Sequence, residues 1–351
     1  MFQGFIPINK PVGLRSSACV EKIKRILGNK IKVGHGGTLD SSAGGVLVIL
    51  LGASTRLSEY VTRMPKTYRA TLKLGSETTT CDYTGGVTAT GDARNIRESD
   101  VDSVIPRFLG WRMQMPPDIS AIHVNGRRAH EIRRAGGTPD LAARPVFIKS
   151  VRREDPISPE GELSLTISCG KGVYVRAIAR DMGRILGCRA HIASLVRLAT
   201  GPFSLESALR VDGNFSVRRE DLASFVYPPE SLGSYLPLYS AGDGDAAKLA
   251  RGRTILFSAV RRETSGAYCP GGVIIISRRD AVTVATLDRI GGTTVVKPEI
   301  NIEQQAKPLG SAPNPAGEPA PRTPLTNYEE GAGASRRSSR GSLLPAGFGR
   351  P

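Results

Sequence analysis

No apolar stretch in this 351-residue chain reaches the length of a membrane span. The longest, VLVILL at Val46 to Leu51, is strand-sized, whereas a spanning helix needs about 20 apolar residues. The N-terminus also lacks the charged start and apolar core of a secretory leader, and Pro7 and Pro11 interrupt it. Five cysteines, Cys19, Cys81, Cys169, Cys188 and Cys269, are scattered and never spaced Cys-x-x-Cys. A zinc ribbon and a disulfide framework are therefore excluded, and a reducing cytoplasm is the expected compartment. The four histidines, His35, His123, His130 and His191, form no HExxH and no Cys/His cluster, so neither a metal nor a cofactor is expected. A GxSxG elbow with a workable His and Asp order is missing as well, which sets serine hydrolysis aside.

What the chain has in excess is positive charge. Lys and Arg number 48 against 32 Asp and Glu, for a net charge of +16 and a pI near 10.0. Such a balance points to a polyanionic partner. Residues 306–351 are crowded with Pro, Gly, Ser and Ala without apolar period, and are expected to be disordered. That tail holds six basic and three acidic residues, so the excess belongs to the part that folds.

The folding part alternates helix and strand patterns. Arg15 to Gly28 reads as an amphipathic helix with Ser16 or Ser17 as N-cap, Val20, Ile23, Ile26 and Leu27 on one face, and Gly28 as its stop. Tyr68 to Leu74 and Leu163 to Cys169 alternate as half-buried strands, and Asn125-Gly126 marks a hairpin within Ala121 to Ile132. A second helix keeps Val175, Ile178, Ala179, Met182, Ile185 and Leu186 in register and carries Arg176, Arg180 and Arg184 as a cationic stripe, ending at Gly187. From Ser234 to Ile300 short strand-like pieces predict a small, mainly β domain.

The segment with most chemistry is KVGHGGTLDSSAGGVLVILLG, Lys32 to Gly52. Its glycines fit neither GxxxxGK[ST] nor GxGxxG, so a nucleotide-phosphate loop is a weak second choice. Asp40, taken alone, reads most simply as a turn cap. Its surroundings read otherwise: glycines allow close backbone approach to a ligand, Lys32 and His35 supply positive charge, and a buried strand anchors the loop. Tyr68 is by default a core aromatic, or a ring for stacking on an extruded base. Arg176 is either solvated or the partner of a nearby carboxylate, and the Arg176, Arg180, Arg184 stripe is equally an ordinary polar face.

Five blocks in order resemble the TruB family of tRNA pseudouridine synthases, over about Gly4 to Phe203. They are GFIPINKPVGLRSS, the Lys32–Gly52 loop, KTYRATLKLGSETTTCDYTG, QMPPDISAIHVNGRRAHEIRRAG and ISCGKGVYVRAIARDMGRILGCRAHIASLVRLATGPF. The resemblance implies isomerisation of uridine 55 in the T-arm loop of tRNA. It makes Asp40 the catalytic aspartate, which attacks the target nucleoside so that uracil detaches, turns and rejoins through carbon. It makes Tyr68 the ring that stacks on the flipped base, Arg176 the partner of the aspartate, His35 the residue entering the RNA loop, and Tyr174 and Leu195 pocket-lining positions. The reaction is redox-neutral and needs no metal.

The implied architecture is α+β: a mixed-sheet catalytic domain over 1–230, a small β-rich C-terminal domain of PUA type over 231–305 that binds RNA, and a disordered tail over 306–351. A monomer acting on the tRNA T-arm in the cytoplasm, away from membranes, is expected. The chain departs from the family pattern at Asn9, Arg15, Gly36, Ser41, Thr79, Ile119 and His130. Gly36 and Ser41, where the family has Thr and Pro, are expected to loosen the catalytic loop. Two rival functions remain at this stage: a tRNA-binding or tRNA-folding protein with weak or lost catalysis, and a phosphate-loop enzyme acting on a nucleotide.

Overall fold

The structure is a computed structural model describing residues 2–303 except 121, 125, 265, 267–271 and 279–280, and without the side chain of 130. The expected disordered tail and Asn125 of the hairpin turn lie outside the described residues. In chain order come β1 (Gly4–Lys10), α1 (Ser16–Leu27), β2 (Val33–His35), β3 (Gly44–Leu51), α2 (Ser58–Arg63), β4 (Lys66–Leu74), β5 (Ser76–Thr78), β6 (Val87–Thr90), α3 (Glu98–Val104) and β7 (Gly110–Gln114). There follow β8 (His123–Val124), β9 (Arg127–Arg128), α4 (Ala129–Arg134), β10 (Arg144–Arg153), β11 (Glu162–Cys169), α5 (Val175–Ile185), β12 (Ala190–Thr200), β13 (Phe203–Ser204), β14 (Leu209–Arg210) and α6 (Arg219–Ser224). The last stretch holds β15 (Leu238–Ala241), α7 (Asp243–Ala250), β16 (Ile255–Leu256), β17 (Val260–Arg262), β18 (Val273–Ser277), β19 (Ala281–Ile290) and β20 (Thr293–Glu303).

Ten strands form one mixed sheet in the order β14-β1-β3-β12-β4-β11-β10-β7, with β2 added on β3 and β13 on β12. Strand β12 runs parallel to β3 and antiparallel to β4. The reason β3 is an unbroken apolar run lies in its two neighbours. Leu47, Ile49 and Leu51 pack towards Ile23 and Leu27 of α1, while Val46, Val48 and Leu50 pack towards the C-terminal strands. A strand covered on both faces has no polar face to show.

Strands β4 and β11 alternate as their sequences predict, with Ala70, Leu72, Leu165 and Ile167 in the core beneath Ile178 and Met182 of α5. Helix α1 ends at Gly28 as expected, with φ +85°. Its start differs from expectation: Arg15 is the N-cap and makes no side-chain capping bond. Ser16 lies inside the helix because its hydroxyl is used elsewhere, donating to the Leu39 carbonyl and accepting from the Leu39 N–H, both at 2.9 Å.

The C-terminal strands form a six-stranded sheet in the order β16-β20-β19-β18-β15-β17, which is the mainly β segment expected. Its residues Val273, Ile275, Val282, Val284 and Ile302 share one apolar cluster with Phe5, Val48 and Tyr227. The second sheet is thus built onto the outer face of β1 and β3. None of the described helices is long and apolar enough to cross a membrane.

Candidate active site

The Gly-rich loop joins β2 to β3 and is fixed by backbone contacts. Gly36 donates its N–H to the Val48 carbonyl at 2.8 Å, and the Ser41 carbonyl accepts from Gly13 N–H at 2.7 Å. A Cβ on Gly36 would lie 2.2 Å from Val61 Cγ1, so the missing side chain is filled by a neighbour. Gly45, at φ +103°, brings β3 so close to β12 that a Cβ would meet the Arg197 carbonyl oxygen at 2.3 Å. These two glycines therefore serve packing inside the protein, not approach to a ligand. The expected loosening at Gly36 and Ser41 is corrected accordingly: both positions are tied down by partners that the sequence pattern does not display. Gly37, at φ +118° with nothing within 4 Å of its Cβ position, is the glycine that opens onto the cleft.

That cleft, of about 200 Å³, lies between the loop, β4, β12 and the start of α5. Asp40 opens into it with 42% of its side chain exposed, and Arg176 Nε lies 2.9 Å from its Oδ2. Asp40 is thus a half-exposed group paired with a buried cation. Arg176 is itself held in place: Nη1 donates to the Thr80 carbonyl at 2.8 Å, and both terminal nitrogens donate to the Ile119 carbonyl at 3.2 Å. Because the Ile119 contact uses the main chain, it does not depend on which side chain stands at this position.

A second carboxylate stands behind Arg176. Asp82 Oδ2 is 4.0 Å from Arg176 Nε, and the Asp82 side chain accepts from Ser42, Thr80 and Thr84 hydroxyls at 2.8, 2.6 and 2.5 Å. Burial alone would raise its pKa, but those hydrogen bonds outweigh burial and hold the carboxyl below its usual value. Sequence reading missed Asp82. Its signal was the cluster of hydroxyl residues around it in TTTCDYT, the donors a buried carboxylate requires.

Tyr68, Tyr174 and Leu195 also line the cleft. Burial raises the Tyr68 phenol, while the neighbouring Arg197 guanidinium opposes that shift by charge and hydrogen bonding. Burial, followed by the charge of Asp40, raises Tyr174. The Tyr174 main chain is clamped by Gln114 at the end of β7, whose amide accepts from the Tyr174 N–H at 2.9 Å and donates to its carbonyl at 3.1 Å.

Most of the stripe on α5 is not a solvated face, although Arg184 is half-exposed. Arg176 and Arg180 are 5% and 7% exposed; Arg180 donates to the Met115 carbonyl at 2.8 Å, and Arg184 pairs with Glu77 at 2.5 Å. Their spacing suits both readings, and only the surrounding acids and carbonyls distinguish them.

Two further cations, both missed in the sequence, form the opposite wall. Arg197, 2% exposed, donates from Nε to the Val46 carbonyl at 2.6 Å, from Nη1 to Thr38 at 3.2 Å and from Nη2 to Gly37 at 3.4 Å. Lys66 donates to the Met64 carbonyl at 2.6 Å and to that of Thr62, and burial lowers its pKa to about 7. Neither has a carboxylate within 4 Å among the described residues, so each is satisfied by main-chain oxygens.

His35 is the one expected site residue that the structure leaves out of the cleft wall. It sits on β2 opposite Ile49 of β3, its Nδ1 is buried without a hydrogen-bond partner, and burial with the nearby Arg197 charge lowers its pKa. Both influences disfavour the protonated ring, which makes His35 a poorer source of positive charge than its place in the loop suggested. Among the described residues no three His, Cys, Asp or Glu side chains are grouped to hold a metal.

Residues 24–175 match the TruB family pseudouridylate synthase N-terminal domain, and residues 176–231 the tRNA pseudouridylate synthase B C-terminal domain. The tRNA pseudouridine synthase B of Ruegeria pomeroyi is 39% identical over 250 residues, 71% of this chain and 82% of that protein. The protein of the same name from Staphylococcus epidermidis is 41% identical over 236 residues, 66% of this chain and 77% of its own length. Among solved structures, a chain of a Cbf5-Nop10-Gar1 complex superposes with a TM-score of 0.63 at 23% identity, covering 85% of this chain and 83% of that one, and so shares its fold. On the sequence relatives and the family match together, the chain belongs to the TruB family of pseudouridylate synthases.

Proposed function

We propose that this protein isomerises uridine to pseudouridine in tRNA, at position 55 of the T-arm loop, working as a cytoplasmic monomer. The observation that carries the reading is the convergence of Asp40, Tyr68, Tyr174, Arg176 and Leu195, from four separate stretches of chain, on one cleft. The names of the relatives supply the substrate class.

In this reading the target nucleotide leaves its stack and enters the cleft, because a base inside a stem-loop is out of reach of a side chain. Tyr68 lies against its face. Asp40 attacks the nucleoside, the N1–C1′ bond breaks, and the uracil turns. C5 then bonds to C1′ and the bond to the Asp40 carboxylate breaks, the C5 proton leaves and N1 is protonated, so the carboxylate is regenerated and atoms and electrons balance without a redox partner. Arg176, fixed by two carbonyls and by Asp82, holds the Asp40 carboxylate in one position, and orientation of that kind is a large part of such catalysis. Phosphate contacts by the basic surface supply affinity, which is therefore salt-dependent.

The test is pseudouridine mapping in a T-arm hairpin incubated with purified protein, and in tRNA from cells that have no other T-arm synthase. Conversion at the single loop uridine, and its loss in Asp40→Asn by at least about 10³-fold, is the expected result. Absence of pseudouridine with the unaltered protein would leave an RNA-binding protein without catalysis as the better account, and its retention in the Asp40→Asn strain would take Asp40 out of the chemistry.

A further inference from the structure

The strand at the far edge of the large sheet carries an apolar stripe that the active site does not use. On β7 the alternate residues Trp111 and Met113 are 67% and 62% exposed, and Leu109 and Met115 continue the same alternation beyond its ends at 41% and 45%. Trp111 is the chain's sole tryptophan. Large aromatics left in water on a sheet edge mark an interaction surface more often than they are accidents.

The register shows which face this is. Trp111 pairs with Phe147 and Met113 with Pro145 of β10, and the Trp111 and Phe147 rings lie 5.4 Å apart at 56°. Between them Val146 and Ile148 point into the core. Ile148 pairs with Cys169, which shares its face with Ile167, and Ile167 pairs with Tyr68. Tyr68 and the cleft are therefore on one face, and Trp111 and Phe147 are on the other. Among the described residues no strand pairs with the outer edge of β7.

Charge identifies the kind of partner. Strands β7 and β10 together hold Arg112, Arg144, Lys149, Arg152 and Arg153 and no acidic residue. Arg152 and Arg153 are neutralised by Glu154 and Asp102, and Arg144 alternates with Val146 and Ile148 onto the cleft face, where its charge reaches Tyr174; Lys149 is exposed and has no carboxylate within 4 Å among the described residues. Further across the same face, Arg69 of β4 is exposed, beside a hydroxyl pair in which Thr67 and Ser168 lie 3.1 Å apart. A flat antiparallel face with an exposed aromatic pair, hydroxyls and unpaired cations suits unstacked nucleobases joined by phosphates. It suits a second copy of this chain poorly, because each copy brings the same positive charge.

We propose that the Trp111–Phe147 face is a second RNA-binding platform, separate from the catalytic cleft, on which an unpaired nucleotide stacks against Trp111 while Lys149 and, further across the face, Arg69 receive phosphates of the same strand.

The single tryptophan makes this directly readable. Titration of the full-length protein with a single-stranded oligouridine RNA should quench Trp111 emission and shield it from acrylamide, with a midpoint matching the binding curve from RNA anisotropy. Quenching should persist when the cleft is saturated with T-arm hairpin. Trp111→Ala should weaken oligouridine binding roughly tenfold, the loss of one base–aromatic stack, and Trp111→Phe should retain most of it. Lys149→Glu should weaken binding and flatten its salt dependence. Emission and acrylamide access that do not change at saturating RNA would overturn the proposal, as would displacement of all oligouridine by the T-arm hairpin. A protein that is quenched by RNA yet forms no pseudouridine refutes the reading of the cleft and leaves this one standing. One that forms pseudouridine without any change at Trp111 does the reverse.

Discussion

The two walls of the cleft hold their cations by different means. On the α5 side Arg176 faces carboxylates, with Asp40 in front at 2.9 Å and Asp82 behind at 4.0 Å. On the β12 side Arg197 and Lys66 face main-chain oxygens and no carboxylate among the described residues, with the Tyr68 phenol also hydrogen-bonding Arg197. The first wall sets where a charge sits; the second sets where a backbone runs. Arg197 shows this best, since its backbone pairs with Gly45 and with Tyr68 while its side chain binds the carbonyls of Gly37 and Thr38. One residue thus ties the Asp40 loop to the Tyr68 strand.

If that division is right, the walls should fail differently. The largest effect is expected from Arg176→Met, which removes the cation in contact with Asp40. Single-turnover conversion of a T-arm hairpin should fall about 10²–10³-fold, the usual cost of losing a preorganised electrostatic partner, and tRNA affinity should change little. A fall in affinity with an unchanged chemical rate would put Arg176 in substrate binding instead.

Arg197→Met should act first on the fold. Three carbonyls lose their donor, and urea unfolding should report roughly 3 kcal/mol of lost stability, with a smaller loss of turnover than at Arg176. Arg197→Lys should recover part of both. A variant as stable as the parent protein would erase the distinction between the walls.

Lys66 offers a test by pH. Burial holds its ammonium at about 7 against an ordinary 10.5, so between those values the unfolded chain carries a proton that the folded chain lacks. Its contribution to stability therefore rises with pH across that window and is flat, at its least favourable, below it. Lys10, which burial lowers to about 8, has the same sign over a narrower range. Unfolding free energies measured at pH 7 and pH 9 should differ less in Lys66→Met than in the parent, by on the order of 1–3 kcal/mol. An unchanged difference would mean that Lys66 stays protonated throughout.

The smallest effect tests the loop. Gly36→Thr, which restores the residue type of the resembled family, should destabilise by roughly 1–2 kcal/mol because its side chain collides with Val61. Val61→Ala in the same chain should relieve most of that. A Gly36→Thr variant of higher stability and turnover would show the loop to be loose after all.

These residues also separate what could be read in advance from what could not. Asp40, Tyr68, Tyr174, Arg176 and Leu195 were recognisable because each sits in a motif whose order along the chain is distinctive. Asp82, Arg197 and Lys66 were not, since their partners lie 94, 151 and 2–5 residues away in sequence and most of those partners are carbonyls, which every residue has. Ser16 misled as a helix cap for the same reason: its hydroxyl was claimed by Leu39, on a loop 23 residues on.

The sequence by itself determined the alternating strands, the helix stops at Gly28 and Gly187, the doubly buried β3 and the family, because periodicity and motif order are local properties. Only the tertiary structure decided the rest. That Gly36 is held by Val61, that His35 stands outside the cleft wall, that Arg176 and Arg180 are buried, and that Trp111 faces away from the catalytic cleft all depend on which distant groups meet, and neither composition nor spacing encodes such meetings residue by residue.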